Sequence, residues 1–114
     1  MTRIVDRGAI VAGWVGVGMA ATVAVSFLLV IPLGEAAVAA IGAEPFAEVG
    51  LAIKARSVYQ HTLIAGYTNG SIGYLPTAEA YAIGGYEVQQ AHFWYYLPAM
   101  IAPTTARMVE DRLV

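Results

Sequence analysis

The order of apolar and polar positions divides the chain in two. From Gly8 to Gly34 no charged residue interrupts 27 positions, and all but three of the fourteen charges lie beyond Gly34. A bilayer core of about 30 Å takes about 20 helical residues. At about 1.5 Å per residue the run reaches about 40 Å as a helix, enough to cross with tilt. Pro32 and Gly34 would end it, while Trp14 falls about a turn inside the span. Arg3 and Arg7 before the run and Glu35 after it place the N-terminus on the cytoplasmic side. The expectation is a single-pass membrane protein, with an anchor helix over 1–34 among membrane lipid and residues 35–114 outside. A signal peptide cleaved near Ala37-Val38-Ala39, leaving a secreted chain, is one alternative, although its apolar region would be longer than usual. A buried soluble helix is another. Ala12, Gly16, Ala20 and Ala24 recur every four residues, a small-residue face on which a homo-oligomer could pack; the plain alternative is that Ala and Gly are common here.

Beyond Glu35 the pattern shortens. Ala36 to Ile41 is an apolar run readable as a buried strand or, being Ala-rich, as a helix. Phe46, Val49, Gly50 and Ile53 then fall at helical spacing, with Pro45 suited to the first helical position and Lys54 and Arg56 to the last turn. These predict a helix over 45–56. Thr62 to Tyr67 reads as a strand, Asn69-Gly70 as a turn, and Ile72 to Leu75 as a second extended piece stopped by Pro76. Thr77 suits the cap of a short helix over 78–82, ended by Gly84-Gly85. The stretch 86–102 is aromatic-rich and ambiguous. A last helix follows Thr104 or Thr105, with Ala106, Val109 and Leu113 inward. The fold class is thus α/β (α+β): an N-terminal transmembrane helix, a small strand–helix–strand unit over 36–67 and a C-terminal helix. Crossovers of this kind set their two strands parallel.

Composition narrows the chemistry. Hydrophobic residues make up 59% of the chain and charged residues 12%, against roughly a quarter charged in an ordinary soluble domain. The roughly 80 residues outside the apolar run would bury only about 60% of their unfolded surface, a marginal core. A net charge of −2 without a Lys/Arg cluster excludes a basic nucleic-acid face. With no cysteine, disulfides and thiolate zinc sites are impossible. Glu44 stands after the first strand and before the helix, where open α/β sheets collect ligand groups. A helix-capping role is the plainer reading of that position.

The strings GAEPFAEVGLAIK (42–54) and AGYTNGSIGYLPTAEAYAIGGYEV (65–88) resemble the C-terminal part of the catalytic domain of neutral/alkaline non-lysosomal ceramidases. The resemblance spans about 55 residues, from roughly Leu33 to Val88, with its two motifs in order. It implies a zinc-dependent amidohydrolase that cleaves ceramide into a sphingoid base and a fatty acid. Carried over by position, Glu44 matches a zinc-binding carboxylate, Tyr74 a tyrosine completing the zinc shell, and Tyr86 a tyrosine stabilising the oxygen of the amide under attack. Such roles make physical sense. Carboxylate and phenol oxygens suit zinc, whose bound water has a pKa of about 7, and a phenolic O–H can stabilise a developing oxyanion.

The chain also departs from the family. Pro-Gly of the turn motif has become Gly42-Ala43, and the family's histidine ligands and its serine- and arginine-bearing segments have no counterpart. His61 and His92, the only histidines, match none of those ligands and are read as surface or packing residues. Phe93-Trp94-Tyr95-Tyr96 could meet lipid headgroups or a ceramide chain, or simply pack on the domain. The expectation is a truncated or fused ceramidase-like zinc enzyme over 35–114, inactive as this chain alone. An active enzyme completed by a partner chain is a second reading. A small single-pass membrane protein with an assembly role is a third.

Overall fold

The computed structural model describes residues 28–114. Leu28–Leu33 forms strand β1, paired antiparallel with β2 (Ala36–Ile41), in register from Leu28↔Ile41 to Leu33↔Ala36. Gly34 and Glu35, where the composition changes, are the two residues of the hairpin loop. Gly34 has φ +68°, the positive value at the first loop position that suits a two-residue hairpin.

This pairing overturns the expected transmembrane helix through Gly34. Among the described residues no helix is long and apolar enough to cross a membrane, so the single-pass placement is not supported. Over 28–33 the physical reason is plain. A short apolar run with Val30 and Ile31 does not distinguish strand from helix by periodicity, and a partner strand decides. Pro32, read as a helix stop, sits in an edge strand, where a missing N–H is tolerated. The remainder of the expected anchor, with Ala12, Gly16, Ala20 and Ala24, lies outside the described residues.

From β2 the chain passes through the short strand β3 (Glu44–Pro45) into helix α1 (Ala47–Arg56), then returns as β4 (His61–Ala65), parallel to β2. The expected strand–helix–strand unit is present, and the sheet order is β1-β2-β4. A separate two-stranded parallel ladder joins β3 to β5 (Tyr74–Leu75). Three short helices follow: α2 (Ala78–Ile83), α3 (Tyr86–Gln89) and α4 (Ala91–Trp94). Helix α5 (Thr105–Arg112) comes last. The described part is a small mixed α/β unit.

The core lies between the sheet, α1 and α5. Val49 and Ile53 of the helical stripe are fully buried, with Ile41, Leu75 and Val109 around them. Burying side chains of this size contributes about 1.5–3 kcal/mol each. Ala106, Val109 and Leu113 face inward as their spacing predicts. Arg56 at the end of α1 pairs with Asp111 of α5 at 2.7 Å, a half-exposed link between the helices. The other face of the sheet keeps Leu29, Ile31, Leu33 and Leu63 exposed.

Candidate functional site

The parallel β3–β5 ladder sets Glu44 directly opposite Tyr74. Register partners on neighbouring strands project to the same side, so carboxylate and phenol rise from one face. The ladder is anchored by Glu44 N–H donating to Gly73 O at 2.8 Å and by Phe46 N–H donating to Leu75 O at 3.1 Å. Leu75 is completely buried, which holds Tyr74 beside it at the surface of the core.

The loop after β4 reinforces this arrangement. Tyr67 N–H donates to Ala43 O, Thr68 N–H to Ile41 O and Ile72 N–H to Gly42 O, at 3.0, 3.1 and 3.0 Å. Residues 66–73 are thereby fastened along 41–44. Gly73, at φ +102°, admits the ring of Tyr95: a Cβ there would lie 2.9 Å from it.

Glu44 does not cap α1. The N-cap position is Phe46 and carries no side-chain cap, while Pro45 belongs to β3 rather than to the first helical turn. The Glu44 carboxylate instead accepts a hydrogen bond from the Tyr67 hydroxyl. This bond, with smaller contributions from desolvation and the carboxylate charge, pushes the Tyr67 phenol up to about 12. The Glu44 charge is also the largest cause raising the Tyr74 phenol above its ordinary value. Both phenols therefore remain protonated at neutral pH.

Tyr86 opens α3 and sets its ring edge to face against Tyr74, with centroids 6.1 Å apart and planes at 81°. All three residues expected at the site, Glu44, Tyr74 and Tyr86, thus gather on one side of the fold. The histidines do not join them as a ligand group. His61 begins β4 opposite Ala36, and Glu44 follows the other end of β2. His92 lines a small cavity together with Tyr74, Glu87 and Tyr95, and buries Nδ1 without a hydrogen-bond partner among the described residues. Of the aromatic cluster, Phe93, Trp94 and Tyr96 are exposed and Tyr95 turns in over Gly73.

As a donor set, one carboxylate and the facing phenol fit the oxygen half of a tetrahedral zinc shell. Among the described residues no group of three His, Cys, Asp or Glu stands ready to hold a metal, so the remaining positions need other donors. Sequence reasoning missed Tyr67, which it placed as the last residue of a strand. The missing signal was its positive φ of +54°, a value that nothing in a Gly-Tyr-Thr-Asn string announces.

A solved structure described as "Ceramidase complexed with C2" matches 76% of this chain with a TM-score of 0.60 and 22% sequence identity. The match covers 13% of that chain. No family model and no curated protein matches. The described unit therefore has a ceramidase-like fold, and it corresponds to a small part of the larger protein.

Proposed function

We propose that this chain carries the carboxylate–tyrosine part of a ceramidase-like zinc amidohydrolase. One observation supports the reading above the others: the β3–β5 register places Glu44 against Tyr74, with Tyr86 packed on the same tyrosine. Glu44 and Tyr74 would hold zinc through oxygen. The bound ion would supply an activated water and polarise the carbonyl of an N-acyl sphingoid amide such as ceramide. Tyr86, 43% exposed, would donate its hydroxyl to the oxygen on which negative charge grows as the amide is attacked. The neighbouring carboxylate raises the Tyr74 phenol above its ordinary value, and binding the cation would displace that proton.

Two oxygen ligands are too few for a structural or catalytic zinc shell, so the unit is expected to be inactive by itself and to need histidine donors from outside it. Zinc titration by calorimetry tests the reading. Weak binding that disappears in both Glu44→Gln and Tyr74→Phe is the expected result. Zinc affinity identical in the parent chain and both variants would refute it. Hydrolysis of a fluorescent short-chain ceramide by this chain alone would refute the expected inactivity.

A further inference from the structure

Tyr67 is 56% exposed, so burial does not explain its placement. Its backbone lies in the left-handed region at φ +54°, an uncommon conformation for a bulky side chain. That conformation is held from both sides. Tyr67 N–H is tied to Ala43 O at 3.0 Å. Gly66 before it runs so close to the β2–β3 connection that a Cβ would lie 3.2 Å from Ala43 O and from the Pro45 ring. The hydroxyl ends on Oε2 of Glu44. Oε1 accepts no hydrogen bond among the described residues. A constrained backbone that persists at a carboxylate, with no gain in burial, is an observation that points toward function.

We infer that Tyr67 is a positioning residue for Glu44: its hydroxyl holds Oε2 so that Oε1 stays free and aimed at the cation position shared with Tyr74. The inference rests on the zinc reading proposed above, and extends it to a residue that the ligand set itself does not include. Its physical basis is general. A carboxylate with two oxygens and freely turning χ angles binds a metal in many geometries, and a fixed donor on one oxygen removes that freedom before binding. Loss of such an outer partner typically weakens metal affinity 10–100-fold. Phenol suits the task because it donates without bringing a positive charge that would compete with the ion.

Tyr67→Phe keeps the ring and removes only the donor. Two measurements on the full chain decide the matter: three-bond NMR couplings of the Glu44 side chain without metal, and calorimetric titration with zinc chloride. The inference expects Glu44 in a single χ1 rotamer in the parent chain and averaged in Tyr67→Phe. Zinc binding should weaken about tenfold in the variant. Identical Glu44 couplings in the two proteins would overturn it. So would zinc binding that is lost in Glu44→Gln yet unchanged in Tyr67→Phe, a result that leaves the zinc reading standing. If Glu44 is released in Tyr67→Phe while neither protein takes up zinc, the zinc reading fails and the inference falls with it; what remains is a tyrosine that orders a carboxylate with no cation to receive it.

Discussion

Tyr74 and Tyr86 meet edge to face at 6.1 Å, with the whole of α2 between them in sequence. The strand that carries Tyr74 is only two residues long, and the helix that carries Tyr86 only four. Elements this short make few hydrogen bonds of their own. The ring pair and the buried neighbours Leu75 and Val88 add to the ladder bonds on either side of Tyr74.

Replacing Tyr86 separates the two contributions. Tyr86→Phe keeps the ring pair and is expected to leave unfolding by urea unchanged within about 0.5 kcal/mol. Tyr86→Ala removes an edge-to-face partner worth about 0.5–1.5 kcal/mol beyond its area and should lower stability by at least that amount. Equal stability of the Ala variant and the parent chain would show that the pair contributes nothing.

Two glycines of the same loop offer an internal comparison. Gly73 at φ +102° faces the Tyr95 ring, whereas Gly70 at φ +126° has open space where a Cβ would go. Gly70→Ala bears the conformational cost alone, about 1–3 kcal/mol. Gly73→Ala adds a steric conflict at 2.9 Å and should be the more destabilising of the two by thermal melting. It should also shift the NMR signals of Tyr95 and Tyr74, which Gly70→Ala should leave in place.

Of the three phenols with raised pKa values, Tyr67 and Tyr81 are raised furthest, and for different reasons. Hydrogen bonding to Glu44 pushes Tyr67 up to about 12. Burial pushes Tyr81 up to about 12, with its hydroxyl donating to Ile101 O at 2.5 Å. In the unfolded chain both titrate near 10. Between pH 10 and 12 the folded state therefore holds protons that the unfolded state has released. Stability from these groups is complete below pH 10 and declines as pH rises through that window. Phenolate absorbance in the folded protein should show a component titrating near 12, reduced in Tyr67→Phe and again in Tyr81→Phe. A single transition near 10 would refute the assignment.

Ile53 of α1 lies fully buried against the core that α5 closes. Ile53→Ala should cost about 2–5 kcal/mol in urea unfolding, enough to threaten a unit of this size. Arg56→Ala should cost no more than about 1 kcal/mol, because its link to Asp111 is half exposed. A reversal of that order would mean that α1 and α5 are held by charge rather than by packing.

Much of the local structure was legible because its causes are local. The spacing of Val49 and Ile53, the basic end of α1 and the inward stripe of α5 all survive in the fold. Short range also explains the turn after β4 and the break at Gly84-Gly85. The motif strings pointed to a ceramidase-like fold, and the fold is of that kind. Where the cause was a partner strand, the reading failed. Leu28–Leu33 has the composition of either a helix or a strand, and its hydrogen bonds to β2 chose the strand.

The sequence by itself determined the helical faces, the turn positions and which residue types were available for chemistry, because periodicity and turn residues act over a few positions. That Ala36–Ile41 is a strand was settled by its pairing with β1 and β4. Only the tertiary structure decided that Glu44 stands opposite Tyr74, that Tyr86 packs on it and that Tyr67 bonds the carboxylate. Those relationships depend on register between strands distant in sequence and on a left-handed residue held by its neighbours. Neither leaves a periodic trace along the chain.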